Sequence, residues 1–356
     1  MTTRRRSGTA LQPAYPIGLL ALDIDGTLVG DDLVIGPRTR AAIRAAVGRG
    51  VSVSLVTGRM VSSAMRFARE LELTAPVVGY QGGLIREIPP PGSARLGRLL
   101  FHRPLPAAVA RDILVWTREQ GLDPHVNHLE RFILRADDPR ADDYSAFMGA
   151  RAELVADIVA STTHPVTKVL AVGEPPHPLG VVDRARERYR GAADVTISHP
   201  RFLEFVAPGV SKGRAIRFLA RRLGVPLAAT MAIGDQWNDL EMLAEVGHGT
   251  AMPSAPLEVR SVARYVAPPL ADEGVAAMIE ALVLPEPRRA RAAGERLAGE
   301  ARRALEPSDT DEVAERRAAA AAEATDAPPR NGEPARTEEA PRTGEAPRTG
   351  EAARAR

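Results

Sequence analysis

Two aspartates near the N-terminus have the spacing of a metal-assisted catalytic pair. Asp23 and Asp25 follow a short apolar run and are followed at once by Gly26. Residues two apart along a strand point to the same face, and the glycine turn directly after them lets both carboxylates face one pocket. Two such charges are costly together unless a cation neutralises them or one of them stays protonated. A hard divalent ion with oxygen ligands meets the first need, so the pair predicts a Mg²⁺ site that Asp235 would complete.

Two other apolar runs also end in polar groups that could join the same pocket. Thr57 and Gly58 follow one run and offer a hydroxyl and a backbone amide. Residues 234–239 follow another run and include Asp235 and Asn238. Because open parallel sheets bind ligands beyond the carboxyl ends of their strands, these groups are expected to meet the aspartate pair.

A lysine is a further candidate because lysine is rare in this chain. Lys168 and Lys212 are the only lysines among 47 basic residues. Lys212 precedes Gly213 at the beginning of a helical pattern that leads towards Asp235. An isolated lysine is usually solvated, so the composition is a hint that Lys212 supplies a cation to the same pocket.

The elements that position these residues alternate between strand and helix patterns. The predicted elements are strands at 17–22, 51–56, 76–79, 228–233 and 264–266, with helices at 38–49, 60–72, 213–223 and 239–246. This order indicates an α/β fold with a doubly wound, Rossmann-like parallel sheet and right-handed crossovers.

The stretch between the first three strands and the last two does not follow this alternation. It predicts strands at 99–102, 131–135, 166–172 and 195–198, and helices at 106–120, 153–161 and 181–190. We interpret residues 84–198 as an inserted α+β domain, and residues 17–83 and 199–284 as the two halves of the core.

Both ends of the chain differ from this pattern. Residues 1–16 are predicted to be a flexible N-terminus. Residues 285–356 contain no aromatic residue and no isoleucine, and they end in a repeat rich in Glu, Ala, Pro and Arg. Such a segment cannot bury enough apolar surface to offset its ordering entropy, which predicts a disordered low-complexity tail with a solitary helix possible at 311–323. Its mixed charges give no indication of a partner.

The composition excludes several classes of function. A net charge of +2 does not favour nucleic acid as a partner. The absence of cysteine excludes disulfides, thiolate catalysis and Cys-bound metal sites. No run approaches the roughly 20 apolar residues of a membrane span, and the N-terminal apolar run is too short for a secretory signal. We therefore expect a cytoplasmic protein with no membrane partner.

In this order and context, the motifs resemble those of the haloacid dehalogenase-like superfamily, specifically the Cof-like sugar phosphatases with a large C2-type α/β cap. The four matching motifs are Asp23-Ile-Asp25-Gly-Thr-Leu, Thr57-Gly-Arg, Lys212 and Gly234-Asp235-Gln-Trp-Asn238-Asp239. The cap subclass follows from the long insert between the second and third motifs. The resemblance implies an Mg²⁺-dependent phosphatase acting on a small phosphorylated metabolite, most simply a sugar phosphate.

The resemblance also implies a role for each residue. Asp23 would be the nucleophile that forms an aspartyl-phosphate, and Asp25 would protonate the leaving oxygen and then activate water. Mg²⁺ would be held by the carboxylates of Asp23 and Asp235 and by the backbone carbonyl of Asp25. Asp239 would orient Lys212 or a metal-bound water. The groups that bind the phosphoryl oxygens would be Thr57, the Gly58 amide, Lys212 and Asn238.

Other interpretations stay open. Gln81 departs from the Tyr-Asn-Gly run of many Cof-like chains and could change how the cap hinge meets substrate. His125 and His128 are predicted to lie in a polar cap loop, with substrate contact or metal binding less favoured. A sugar phosphomutase would need a second phosphate site, for which Arg131 or Arg135 could serve. A catalytically silent metabolite-binding protein is disfavoured by the intact aspartates. The sequence does not identify the substrate or the oligomeric state.

Overall fold

The computed structural model describes residues 16–93, 95–138, 140–148 and 151–305. The predicted flexible stretch before residue 16, the predicted helix at 311–323 and the rest of the predicted tail from residue 306 lie outside these residues.

The first part of the core follows the predicted alternation. In chain order it contains β1 (Leu19–Leu22), α1 (Pro37–Gly48), β2 (Ser52–Leu55), α2 (Val61–Glu70), β3 (Val77–Gly79), β4 (Leu84–Arg86) and β5 (Leu99–His102). β1 is an unbroken aliphatic run that is buried throughout, as expected for a central strand covered on both faces. Pro37 lies in the first turn of α1, where its missing N–H costs no hydrogen bond.

The chain then builds a second, mainly antiparallel sheet. Its elements are α3 (Ala107–Glu119), β6 (Asp123–His128), β7 (Arg131–Arg135), α4 (Ala141–Met148), β8 (Glu153–Val155), α5 (Ile158–Ser161), β9 (Lys168–Val172), α6 (His177–Arg188), β10 (Asp194–His199) and β11 (Phe202–Val206). The strand order is β10-β11-β9-β6-β7-β8. Val169 and Leu203 face an apolar cluster with α3 and α6. Because side chains alternate along a strand, Lys168 and Glu204 face the opposite way.

The chain returns to the core for its last part. The elements there are α7 (Lys212–Leu223), β12 (Thr230–Gly234), α8 (Leu240–Glu245), β13 (His248–Ala251), α9 (Leu257–Val262), β14 (Tyr265–Val266), α10 (Gly274–Leu282) and α11 (Pro287–Leu305). The core sheet has the order β14-β13-β12-β1-β2 and is parallel throughout, and a bridge from Val56 to Val78 leads on to β3. The predicted fold class, a doubly wound parallel sheet with an inserted α+β domain, is confirmed.

The strand pairing places the divisions of the chain differently from the predicted boundaries. β4 and β5 extend β3 as an antiparallel edge, so the core runs beyond residue 83 to about residue 102. β11 pairs with β9 and β10, so the inserted sheet runs beyond residue 198 to Val206. The reason is that a short strand joins the sheet in which it finds hydrogen-bonding partners, and the local sequence pattern does not determine that choice.

Three local predictions were also wrong. Residues 153–161 form a strand and a short helix in place of one helix. His125 and His128 lie in β6, not in a loop. Residues 287–305, predicted to be disordered, form α11, whose Ala301 is buried and whose Leu297 packs against the core. Within the described part of the chain, no helix combines the length and apolar character needed to cross a bilayer.

Candidate active site

The parallel register brings the ends of three neighbouring strands to one edge of the core sheet. Leu22, the last residue of β1, lies beside Leu55 on one side and Ile233 on the other. The Asp23 N–H donates to the Ile233 carbonyl at 3.0 Å, which holds the chain in register as it leaves the sheet. The first, second and fourth sequence motifs therefore begin at adjacent positions.

Gly26 turns the chain directly after Asp25. Its φ of +75° is strained for other residues, and a Cβ at this position would lie 2.4 Å from Asp235 Oδ2. Asp235 is held there by Thr27, whose hydroxyl donates to Asp235 Oδ1 at 3.0 Å. Glycine is thus required so that the Asp235 carboxylate can lie directly against the turn.

The Asp25 side chain is bound by Arg59 of the second motif. Arg59 donates from Nε to Asp25 Oδ2 at 2.7 Å and from Nη2 to Oδ1 at 2.5 Å. This bidentate pair fixes the plane of the carboxylate. The Arg59 guanidinium is buried, whereas the Asp25 side chain is 42% exposed, so Asp25 faces solvent from a rigid support.

Lys212 is buried beneath Asp23 at the beginning of α7. Ser211 caps this helix, since its Oγ accepts from the Arg214 N–H at 3.1 Å. Lys212 Nζ lies 2.8 Å from Asp23 Oδ1 and 2.6 Å from Asp239 Oδ1. Burial alone would lower the pKa of Lys212, but the charges of Asp23 and Asp239 outweigh it and raise that pKa. The lysine is therefore a permanent cation in the site.

Both carboxylate oxygens of Asp239 accept hydrogen bonds from other groups of the protein. Its Oδ2 accepts from the backbone N–H groups of Asp235 and Gln236 at 3.0 and 3.1 Å, while its Oδ1 accepts from Lys212. Gly234 leaves room for it, because a Cβ there would lie 2.4 Å from the Asp239 carboxyl carbon. Asp239 thus positions Lys212 and the turn that carries Asp235.

The charge balance of the site fits a divalent cation. Asp23, Asp235 and Asp239 each place a carboxylate oxygen within 4.8 Å of the others, and all three are buried. Burial and the neighbouring Asp239 raise the pKa of Asp235 to about 7. Burial also raises the pKa of Asp23, and Lys212 only partly opposes the shift. An all-oxygen donor set with excess negative charge matches the preference of Mg²⁺.

A cavity of about 660 Å³ opens over this cluster, between the core and the inserted domain, which we call the cap. The predicted site residues that line it are Asp23, Asp25, Thr57, Gly58, Asp235 and Asn238. Lys212 and Asp239 are not part of the lining because they lie buried behind Asp23. The cap residues that line it are Tyr144, Lys168, Leu170, Ser198, His199, Pro200, Arg201, Phe202 and Glu204.

A polar network that was not predicted from the sequence joins the cap to the core. Lys168 Nζ donates to the Gly58 carbonyl at 2.8 Å and lies 3.0 Å from Glu204 Oε2. Gln81 Nε2 donates to the same Glu204 oxygen at 2.9 Å, and Gln81 Oε1 accepts from Asn238 Nδ2 at 2.9 Å. The rarity of lysine, which drew attention to Lys212, applied equally to Lys168.

His125 and His128 do not line the cavity. His125 is fully buried in β6, and its ring stacks edge-on against Tyr144 with a centroid distance of 4.3 Å. His128 lies near His102, with a ring distance of 6.1 Å. Arg131 and Arg135 also lie away from the cavity, where Arg131 pairs with Glu153 and Arg135 with Asp137.

Comparisons with known proteins agree with this architecture. The sequence profile of the haloacid dehalogenase-like hydrolases matches residues 20–279. An HMP-PP phosphatase of Serratia proteamaculans is 31% identical over 248 residues, covering 68% of this chain and 86% of that protein. A 5-amino-6-(5-phospho-D-ribitylamino)uracil phosphatase of Bacillus subtilis is 26% identical over 284 residues, covering 74% of this chain and 97% of that protein.

The solved structures show the same relationship. A haloacid dehalogenase-like hydrolase from Bacteroides thetaiotaomicron superposes with a TM-score of 0.64 at 27% identity, over 74% of this chain and 98% of that one. The profile match runs from β1 into α10 and so includes all four motifs and the whole cap. The chain therefore belongs to the haloacid dehalogenase-like hydrolases, as a Cof-like phosphatase.

Proposed function

We propose that this protein hydrolyses a small phosphorylated metabolite, most simply a sugar phosphate, through an aspartyl-phosphate on Asp23. The observation that carries this proposal is the position of the Asp23 carboxylate. Its Oδ1 is tied to Lys212 at 2.8 Å, while the residue lines a cavity shared with Asp25, Thr57 and Asp235. The other oxygen of Asp23 is thus available to attack a phosphate ester bound there.

In the first step, Asp23 Oδ2 forms a bond to phosphorus as the bond to the alcohol oxygen breaks. Asp25 gives its proton to that leaving oxygen, which departs as a neutral alcohol. In the second step, water attacks the acyl-phosphate and Asp25 takes up its proton, so that phosphate leaves and both aspartates are regenerated. Arg59 holds the ionised Asp25 carboxylate at the edge of the cavity, where it can take up the proton of the attacking water.

The phosphoryl group needs donors for its non-bridging oxygens in both steps. Thr57, the Gly58 amide and Asn238 line the cavity on the side of Asp23, and Lys212 contributes positive charge from beneath. Bound Mg²⁺, held by the Asp23 and Asp235 carboxylates and the Asp25 backbone carbonyl, would supply the remaining neutralisation of charge. Fixed donors of this kind stabilise the spread charge of phosphoryl transfer.

The cap side of the cavity supports an organic phosphate of small size. Tyr144, His199 and Phe202 offer ring surfaces, and Arg201 offers a guanidinium that already pairs with Glu174 at 2.5 Å. The Bacillus subtilis relative is named for a phosphorylated uracil derivative, so a phosphate ester that carries a nitrogen heterocycle is the second candidate class. A cytoplasmic location is part of the same proposal.

The phosphomutase alternative has little support in the cavity. Arg131 and Arg135, the arginines considered for a second phosphate, point to other partners outside it. Transfer to a second sugar hydroxyl would require a further free cation on the cap side. Hydrolysis requires only water there.

The test is phosphatase activity of purified protein with p-nitrophenyl phosphate, with and without Mg²⁺. We expect Mg²⁺-dependent turnover that Asp23→Asn abolishes and that the surface variant Asp183→Asn, 90% exposed in its side chain, leaves unchanged. Turnover that survives both Mg²⁺ removal and Asp23→Asn would overturn the proposal. A panel of sugar phosphates and heterocyclic phosphates would then identify the preferred substrate by kcat/KM.

A further inference from the structure

A second cluster of metal-binding side chains lies within the cap, away from Asp23. Asp123 and His125 are two residues apart in β6 and so lie on the same face of that strand. The hairpin that pairs Val126 with Ile133 brings back Asp138, which follows β7. Asp123, His125 and Asp138 each place one potential ligand atom within 4.8 Å of the others.

His125 is the unusual member of this cluster. Its side chain is 1% exposed, and neither ring nitrogen has a hydrogen-bond partner among the described residues. Asp138 Oδ2 lies 3.5 Å from His125 Nε2, which is too long for a good hydrogen bond. A buried polar atom without a partner is costly, so the site as built favours a ligand that accepts the lone pair of one ring nitrogen.

The neighbouring contacts hold the potential ligands in place. Asp138 Oδ1 accepts from the Arg140 N–H at 2.9 Å, which leaves Oδ2 facing His125. The His125 ring is held between Phe132 and Tyr144, with centroid distances of 5.6 and 4.3 Å. These contacts restrict rotation of both side chains, which lowers the cost of binding an ion.

The cluster is reached from solvent on one side, through a pocket whose wall carries charges of both signs. Arg140 pairs with Asp123 Oδ2 at 3.0 Å and also lies 3.7 Å from Glu174, so its charge is shared between two carboxylates. A pocket of about 400 Å³ provides a route from solvent, and its wall includes two carboxylates and three arginines, namely Asp123, Glu174, Arg118, Arg135 and Arg140. The cluster is therefore accessible through Asp123, although His125 and Asp138 are buried.

We propose that Asp123, His125 and Asp138 bind a divalent transition ion, with Zn²⁺ as the probe. One imidazole and two carboxylates form a borderline donor set that suits Zn²⁺ better than Mg²⁺, whose sites are built from oxygen alone. The core cluster of Asp23 and Asp235 has the opposite preference.

The ion would act on the wall of the substrate cavity and take no part in the chemistry. Tyr144 packs on the His125 ring and also lines the cavity above Asp23. Fixing His125 fixes Tyr144, so the ion would link β6, the end of β7 and α4 into a rigid cap wall. We expect Zn²⁺ to change KM more than kcat.

The experiment measures bound zinc in protein that was stripped of metal and then dialysed against micromolar Zn²⁺ in excess Mg²⁺. Mg²⁺ occupies the oxygen site in the core, so the zinc that remains reports the cap. We expect one Zn²⁺ per chain in the wild type and in Asp235→Asn. We expect loss of this zinc, with at least about 100-fold weaker binding, in His125→Gln and Asp138→Asn. The exposed His164→Gln is the matched control and should keep its zinc.

Two further measurements guard against variants that fail to fold. Circular dichroism and residual p-nitrophenyl phosphate hydrolysis should remain in His125→Gln, and Asp123→Asn offers a milder change at the mouth of the site. Anomalous scattering at the zinc edge should locate the ion beside His125. Folded wild-type protein without cap zinc, or zinc that persists in folded His125→Gln, would overturn the proposal whether or not the protein is a phosphatase.

Discussion

Lys168 and Glu204 form an ion pair that is almost completely removed from solvent. Their charged atoms are 3.0 Å apart, and the side chains are 2% and 3% exposed. The pair joins β9 to β11 at the base of the cap and reaches the core through the Gly58 carbonyl and Gln81. Lys168 therefore holds Gly58 of the second motif against the cap. Because Glu204 neutralises its charge, that charge is not available to bind substrate.

Removing the lysine charge alone should be strongly destabilising. In Lys168→Met, Glu204 would remain buried without its partner, which costs about 3–5 kcal/mol of unfolding free energy. The Gly58 loop would also lose a contact, so we expect kcat/KM to fall by about tenfold or more. Urea unfolding and steady-state kinetics with p-nitrophenyl phosphate measure the two effects.

A double variant and a surface pair provide the controls for this prediction. Lys168→Met with Glu204→Gln removes both charges and should recover part of the lost stability. Arg131→Met breaks a pair whose side chains are 58% and 46% exposed, so it should cost less than about 1 kcal/mol. Equal losses from the buried and the exposed pair would contradict the assigned role of Lys168.

Gly26→Ala should disable the metal site with little effect on the fold. The added methyl group would lie 2.4 Å from Asp235 Oδ2 and would push that carboxylate away from the turn. A displacement of about 1 Å at a reacting centre lowers kcat by about 100-fold. The apparent Mg²⁺ affinity should fall as well, because Asp235 is one of the expected ligands.

Gly50→Ala is the matched control for Gly26→Ala. Gly50 also has a positive φ, of +83°, but nothing lies within 4 Å of a Cβ there. The two variants share the backbone strain of about 1–2 kcal/mol, and Gly50→Ala should retain full activity. Comparable activity in the two variants would show that the contact with Asp235 does not matter.

The core site could be predicted because each part of it is local. Asp23, Thr57 and Asp235 lie within a few residues of strand ends, and parallel strands of a doubly wound sheet must bring those ends together. Lys212 precedes a helix whose position follows from the same topology. Sequence order and strand periodicity therefore determine which groups meet.

The cap and α11 could not be predicted in the same way. Lys168 meets Gly58 and Glu204 only after the inserted sheet docks on the core, which no local pattern records. β6 contains Pro124 and alternates polar residues, so it resembles a loop until its neighbours cover it. α11 buries alanines such as Ala301 in place of large aliphatic side chains, and a search for large apolar residues misses it.

The pH dependence of stability should reveal the raised pKa of Asp235. Its pKa is about 7 in the folded, metal-free protein, against an ordinary value of 3.8. The folded state thus holds the proton more tightly, so metal-free stability should decrease as the pH rises from about 4 to 7 and stay low above that. Asp235→Asn should not show this loss of stability. In EDTA at pH 8 its free energy of unfolding should exceed that of the wild type by on the order of 1–4 kcal/mol.

Thermal unfolding of both proteins in EDTA, at several pH values, tests this prediction. Taking the difference between wild type and Asp235→Asn cancels the titration of distant groups. Addition of Mg²⁺ should stabilise the wild type only, because the ion replaces the proton between the carboxylates. If the difference in stability between wild type and Asp235→Asn did not change between pH 5 and 8, Asp235 would have an ordinary pKa.

Arg59→Lys should lower kcat because a lysine cannot bind both oxygens of Asp25. The present pair uses Nε and Nη2 together, which sets the plane of the Asp25 carboxylate. Acid–base catalysis contributes about 100-fold or more, and loss of its orientation should remove about tenfold of it, with KM little changed. Arg40→Lys, at a partly exposed pair with Glu70, should leave kcat unchanged. Wild-type kcat in Arg59→Lys would show that Asp25 needs no such support.

Truncation at two different positions tests where the folded part of the chain ends. Removing residues 306–356 deletes a segment whose only large aliphatic side chain is Val313, so the melting temperature and activity should change little. Removing residues 285–356 also deletes α11, which covers Tyr265 so closely that a Cβ at Gly294 would lie 3.0 Å from its hydroxyl. Exposing that surface should cost about 2 kcal/mol or more and lower the melting temperature by several degrees. Equal melting temperatures for the two truncations would show that α11 adds no stability, whereas a loss on removal of 306–356 alone would place part of the folded unit beyond Leu305.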